Sequence, residues 1–245
     1  MRTSSASYRN VGRLAAVLAV GACMSSAATT GGSNRSETPA AMAGRTDAAG
    51  QQRAPVASDR RAQVLRGRAL TIEHACNGCH GGADPAAAGY LAGARGPQDD
   101  FLIGPCATTP GATPCFKTRP RNLTPDNITG LGRFSERQIF NALRFGLRPG
   151  ETPDVEITST VPGQGNFPAH PKYLAPPMPW PSWRHMPDQQ LWDIAAYLKY
   201  GVKPVRNKVA DSDGPPDFWA SAYTPDKIGA YPAPPFPTAN EKEPE

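Results

Sequence analysis

Five consecutive residues, Cys76-Asn77-Gly78-Cys79-His80, constrain this chain more than any other feature of it. Two thiols that flank two residues and are followed at once by an imidazole suit three chemistries. They can form a redox dithiol, supply half of a zinc site, or add to the two vinyl groups of a haem while the His reaches the iron from the same side. A thioredoxin-like dithiol needs a strand before it, and zinc needs two more ligands at motif spacing. Neither is evident. Covalent attachment of one haem c at Cys76 and Cys79, with His80 on the iron, is therefore the expectation.

The other cysteines bear on compartment. Arg2, Arg9 and Arg13 precede an apolar run from Leu14 to Ala22, too short to span a bilayer and placed as an export signal. The run ends in Val20-Gly21-Ala22-Cys23, which resembles a bacterial lipobox, so residues 1–22 read as a lipoprotein signal and Cys23 as the lipid-modified N-terminus. Ordinary cleavage near Ala27 or Ala28 is the alternative. Either route leads to the periplasm, an oxidising compartment, where Cys106 and Cys115 are a plausible disulfide closing a short loop.

Among 245 residues, 28 prolines and 24 glycines break up most segments, and the 39% apolar fraction suits one modest core with long irregular flanks. Residues 23–57 carry no hydrophobic period and read as a flexible tether. A first helix, capped by Ser58 or Asp59, is predicted to run through Leu65, Ala69 and Ile72 into the motif, with Gly67 marking a close helix crossing. Residues 81 to 133 read as a long loop. Ser135 and Gln138 form a capping box for a second helix through Ile139, Ala142 and Leu143 that stops at Gly146. Residues 147 to 187 are irregular and Pro-rich. The last helix begins near Pro187, with Leu191, Ile194, Ala195 and Leu198 on its apolar face and Gly201 as its stop. Beyond lies a Pro-rich tail, residues 206–245, holding Phe218, Trp219, Tyr223, Tyr231 and Phe236, which either wraps over the domain or dangles.

From Leu65 to Val209 the chain resembles class I cytochrome c domains. The resemblance rests on Arg66-Gly67-Arg68, the Cys76 to His80 motif, Asn122-Leu123-Thr124-Pro125-Asp126, Thr129-Gly130-Leu131-Gly132, Pro177-Met178-Pro179-Trp180 and Ala195-Ala196-Tyr197-Leu198. It is most similar to the cytochromes that accompany periplasmic alcohol and sugar dehydrogenases. It implies a mainly α, cytochrome c-like domain over residues 58–205, with Gly67 meeting Tyr197 and the Asn122 to Pro125 segment lying against the haem. Three features depart from that family: Pro187 at the helix cap, the segment holding Cys106 and Cys115, and the tail after Val209.

Met178 is expected as the sixth iron ligand, opposite His80. Pro176, Pro177 and Pro179 should hold it in an extended path, and its spacing to Tyr197 fits the family, whereas Met186 stands too near. His74, His170 and His185 read as surface residues, and Trp180, Trp183 and Trp192 as core. Arg119, Arg121, Arg144 and Arg148 suit either haem propionates or a solvated face. The implied role is one-electron transfer between a dehydrogenase and an oxidase or another cytochrome, without substrate turnover of its own. The alternatives are an electron-accepting subunit of a dehydrogenase complex and a gas-binding haem sensor. A net charge of +5 suits an acidic protein partner or an anionic membrane, and no nucleic acid is expected.

Overall fold

Gly67 decides how the longest helix packs. In the computed structural model, which describes residues 57–213 and 220–244, α1 (Ala57–Glu73) crosses α5 (Asp188–Ala196). A methyl group on Gly67 would lie 1.8 Å from the Asp193 carbonyl oxygen and 2.8 Å from Tyr197 Cβ. The two backbones therefore touch, and Gly67 and Tyr197 meet as the resemblance implies. Arg66 clamps the crossing with a two-pronged ion pair to buried Asp193, at 2.7 and 3.0 Å. Gln63 donates to the Trp192 carbonyl from the next turn.

Around this contact the apolar face of α1 differs from the sequence expectation. Gln63, Gly67 and Thr71 are buried, whereas Leu65, Ala69 and Ile72 face solvent. A close crossing demands small residues and hydrogen-bonded polar ones at the seam, which overrides the apolar periodicity. The helix is described from Ala57, with Ser58 and Asp59 inside it.

The second helix, α3 (Glu136–Phe145), forms as its ends dictate. Ser135 Oγ accepts from the Gln138 amide while the Gln138 side chain accepts from the Ser135 amide, and Gly146 ends the helix with φ +67°. Ile139, Phe140 and Leu143 pack with Leu91, Leu131, Leu191, Ile194, Tyr197 and Leu198 in the main core. After α5 the chain makes one wider turn of π-helix, Tyr197–Gly201, before leaving as an extended strap.

The long loop after the motif contains structure that its turn-rich sequence hides. β1 (Phe101–Ile103) pairs antiparallel with β2 (Phe116–Thr118), and the Cys106–Cys115 disulfide closes the excursion between them with Cα atoms 5.3 Å apart. Two short helices, α4 (Trp180–Trp183) and α6 (Pro225–Ile228), complete the mainly helical set. Among the described residues no helix is long and apolar enough to cross a membrane.

A second cluster gathers Phe145, Leu147, Ile157 and Phe167, with Tyr173 and Tyr231 against it. Tyr231 comes from the tail, as does Tyr223, which packs edge-on to Trp180 and donates to the Leu174 carbonyl. The described tail residues up to Tyr231 thus wrap rather than dangle. The export signal, Cys23, the tether up to residue 56, Phe218 and Trp219 lie outside the described residues.

Candidate haem-attachment site

The motif folds as a single helical turn, α2 (Cys76–His80), held between strained neighbours. Ala75 enters it at φ +50° and Leu91, which caps the following loop, has φ +58°; with Asn166 they are the positive-φ non-glycine residues described. Each such conformation costs about 1–3 kcal/mol and persists only where packing over-determines it, and such strain collects at functional sites. Cys76 and Cys79 share one face of the turn at i, i+3 spacing. They are not bonded to each other; Cys76 is buried and Cys79 exposed.

Burial pushes the Cys76 thiol up to about 11, opposed in part by its own backbone amide. A redox dithiol needs one thiolate stabilised near neutral pH, and Cys76 does not provide it. Among the described residues no group of three or more His, Cys, Asp or Glu side chains is placed to hold a bare metal ion. A zinc site on Cys76 and Cys79 would need ligands from outside them.

His80 is gripped twice. Its backbone carbonyl accepts from the Gly93 amide at 2.7 Å, and its Nδ1 lies 2.7 Å from the Arg121 carbonyl oxygen. A carbonyl can only accept, so Nδ1 carries the proton and Nε2 keeps its lone pair for a metal. Desolvation lowers the His80 pKa and the Arg121 carbonyl partly offsets that. The loops that do the gripping are themselves tied, with Leu91 donating to Gly81, Ala94 to Pro120 and Leu123 to Leu91. Asn122 and Thr124, both buried, join through Thr124 N and Oγ1 to Asn122 Oδ1. This segment follows directly on Arg121, whose carbonyl meets His80.

Met178 lies half-buried against the main core, which includes Cys76, but so does Met186. The Met178 amide bonds the Ala175 carbonyl at 2.9 Å. Its segment is thus a tight turn with Pro176 and Pro177 at the corners, not the extended path predicted, because proline φ suits turn corners as well as extended chain. Trp180 is buried beside Tyr173 and Tyr223, and Trp183 and Trp192 are half-buried against the main core. His74 stacks obliquely on Trp183, and His170 and His185 are exposed.

Of the arginines, Arg119 pairs with Asp100 and Asp213, and Arg121 with Asp211. Buried Arg144 bonds Asp188 and the Arg184 carbonyl. Burial lowers the Arg148 pKa. Sequence reasoning passed over Tyr90. Its hydroxyl is buried beside Tyr197, outside hydrogen-bond geometry, and has no partner. No local pattern marks this residue; only the fold brings it beside Cys76.

A helical domain with this motif on a strained turn is the setting in which the comparisons with known proteins fall. No family model matches the chain. It is 28% identical over 183 residues to the gluconate 2-dehydrogenase cytochrome c subunit of Pantoea cypripedii, covering 70% of this chain and 32% of that protein. Over 149 residues it is 26% identical to the fructose dehydrogenase cytochrome subunit of Gluconobacter japonicus, with coverages of 61% and 23%. It is also 29% identical over 126 residues to the cytochrome c subunit of the quinone alcohol dehydrogenase of Gluconacetobacter polyoxogenes, covering 46% of this chain and 22% of that subunit. The chain spans a third or less of the length of these relatives. It is distantly homologous to cytochrome c subunits of sugar and alcohol dehydrogenases, at the level of a superfamily.

Proposed function

We propose that this chain is a c-type cytochrome that serves a dehydrogenase as its electron-accepting subunit, with one haem bound through Cys76 and Cys79 and ligated by His80 and Met178. The observation that carries the reading is His80: a buried imidazole directly after two unpaired thiols, with Nδ1–H fixed on the Arg121 carbonyl and Nε2 left as the donor. The residues fit the group. A thioether site needs thiols on one face of a turn, which α2 provides, and a neutral imidazole with an unprotonated Nε2, which the Arg121 carbonyl secures for His80.

When bound, the haem iron supplies one-electron chemistry, cycling between ferric and ferrous. The chain's own part would be to orient His80 as one ligand and to offer Met178 as a soft sulfur ligand, which favours the ferrous state and a raised potential, beside the apolar core of Leu91, Leu131 and Leu143. The names of the relatives favour the subunit reading over a free carrier between dehydrogenase and oxidase. We place the protein in the periplasm, with residues 1–22 as signal, Cys23 as lipid anchor, 23–57 as tether and 58–205 as the haem domain.

The test has two parts. Denatured protein should keep its haem and stain for peroxidase activity on a gel, and haem that leaves in acidic acetone would overturn the attachment. Native protein should copurify with a dehydrogenase and be reduced when that enzyme receives substrate. A haem-loaded protein that always purifies alone would favour the free carrier, and rapid carbon monoxide binding by the reduced form would favour a gas sensor.

A further inference from the structure

Beyond the final helix the chain continues as an extended strap. Val205, Asn207 and Val209 turn inward and are half-buried, while Arg206, Lys208 and Ala210 are exposed. The inward groups meet the two loops that grip His80. On one side, Arg121, whose carbonyl holds the imidazole, extends its guanidinium to the Val209 and Ala210 carbonyls at 3.1 and 3.0 Å and to the Asp211 carboxylate at 2.9 Å. Its neighbour Asn122 donates to the Val205 carbonyl at 2.8 Å, and the Val205 amide donates back to Thr124 Oγ1 at 3.0 Å. On the other side, the Asn207 amide group donates to the Ala92 and Ala94 carbonyls at 2.8 and 2.9 Å. Those carbonyls flank Gly93, whose amide holds the His80 backbone.

We propose that residues 205–211 are a positioning strap for His80, which fixes the Arg121 carbonyl on Nδ1 and thereby sets the reduction potential of the iron. The inference rests on the haem reading above. Both grips on His80 come from loops, and loops by themselves shift easily. Asn207 and the Arg121 guanidinium tie the two loops to one continuous piece of chain. The Nδ1–H···O bond makes the imidazole a stronger donor, and a stronger donor favours ferric iron. Loosening the strap should lengthen that bond and raise the potential.

The experiment uses the full haem-loaded chain, with Asn207→Ala, Arg121→Gln and, as a control for lost positive charge on an exposed position, Lys203→Ala. Arg121→Gln keeps the backbone carbonyl and removes the guanidinium's reach to the strap together with its charge, for which Lys203→Ala controls, so it carries the test if Asn207→Ala fails to fold. Both strap variants should have a higher potential than wild type. Their His80 ring proton, followed by NMR, should exchange about tenfold faster, the protection that one hydrogen bond confers. Lys203→Ala should move neither reading. If the strap variants lose thermal stability but match Lys203→Ala in potential and ring-proton exchange, the strap is only structural and the inference falls. A wild-type protein without covalent haem would instead overturn the parent reading, and that is visible before any variant is compared.

Discussion

The two candidate ligands sit in regions built in different ways. Around His80, residues far apart in sequence are sewn together: Arg121 to His80, Asn122 to Val205, Asn207 to Ala92 and Ala94. Around Met178, the hydrogen bonds are mostly local turns, from Met178 to Ala175, Ser182 to Pro179 and Met186 to Trp183. That segment is held to the rest by packing, with Trp180 parallel to Tyr173 and Tyr223 against both, and by Arg144 and Arg184 bonding backbone carbonyls. Hydrogen bonds fix a direction and packing fixes a position. The His80 region therefore specifies the orientation of an imidazole, and the Met178 region leaves a flexible thioether room to adjust.

The largest effect should come from the less rigid side. Met178→Ala should remove the proposed sulfur ligand, abolish the weak red absorption of the oxidised form, lower the potential and admit carbon monoxide, yet cost only about 1 kcal/mol of stability because the side chain is half-buried. Absorption spectra and redox titration read the first part and urea unfolding the second. The same spectral changes in Met186→Ala, with Met178→Ala unaffected, would reassign the ligand. Next comes Gly93→Ala on the sewn side. Gly93 has φ +85°, and an added methyl would lie 2.8 Å from the Arg121 carbonyl carbon. Unfolding should be easier by on the order of 3 kcal/mol, with the His80 environment changed as well. A loss comparable to that of Met178→Ala would erase the contrast between the two regions.

Removing the disulfide with Cys106→Ser and Cys115→Ser probes a hairpin outside both regions. Chain entropy puts the loss at about 2–3 kcal/mol by urea unfolding, and the haem spectrum should stay as it was. The smallest effect is a pH dependence. Hydrogen bonds from the Thr129 amide and hydroxyl hold the Asp126 carboxyl below its ordinary value of 3.8. A depressed carboxyl contributes stability that is present above the unfolded value and lost as pH falls through the folded one. Wild type should therefore lose stability as pH drops below 3.8, and Asp126→Asn should flatten that part of the profile. Because Thr129 also receives Asn122 and Asn207, the change should register in the His80 loops before it reaches the Met178 turn.

What could be read from residue order was whatever depends on near neighbours. The capping box at Ser135, the stop at Gly146, the motif turn, the disulfide pair and the Gly67 crossing each involve either a few adjacent residues or a residue type with one physical use. The α1 face was misread because periodicity counts apolar side chains, and a seam that brings two backbones together selects Gly67, Thr71 and Gln63 instead. The β1–β2 pair was missed because strands of three residues leave no alternation to count.

The sequence by itself narrowed the chemistry of the motif: two thiols and an imidazole at that fixed spacing suit a haem, a zinc ion or a redox dithiol and little else. Only the tertiary structure decided which nitrogen of His80 carries the proton, that Tyr90 comes to lie beside Cys76, and that residues 205–211 are woven into the loops that hold His80 rather than trailing from them. Those facts depend on contacts across 41 residues for His80 and Arg121 and 115 for Asn207 and Ala92. No local pattern encodes such pairings, because they exist only after the core has closed and brought the loops within hydrogen-bond reach.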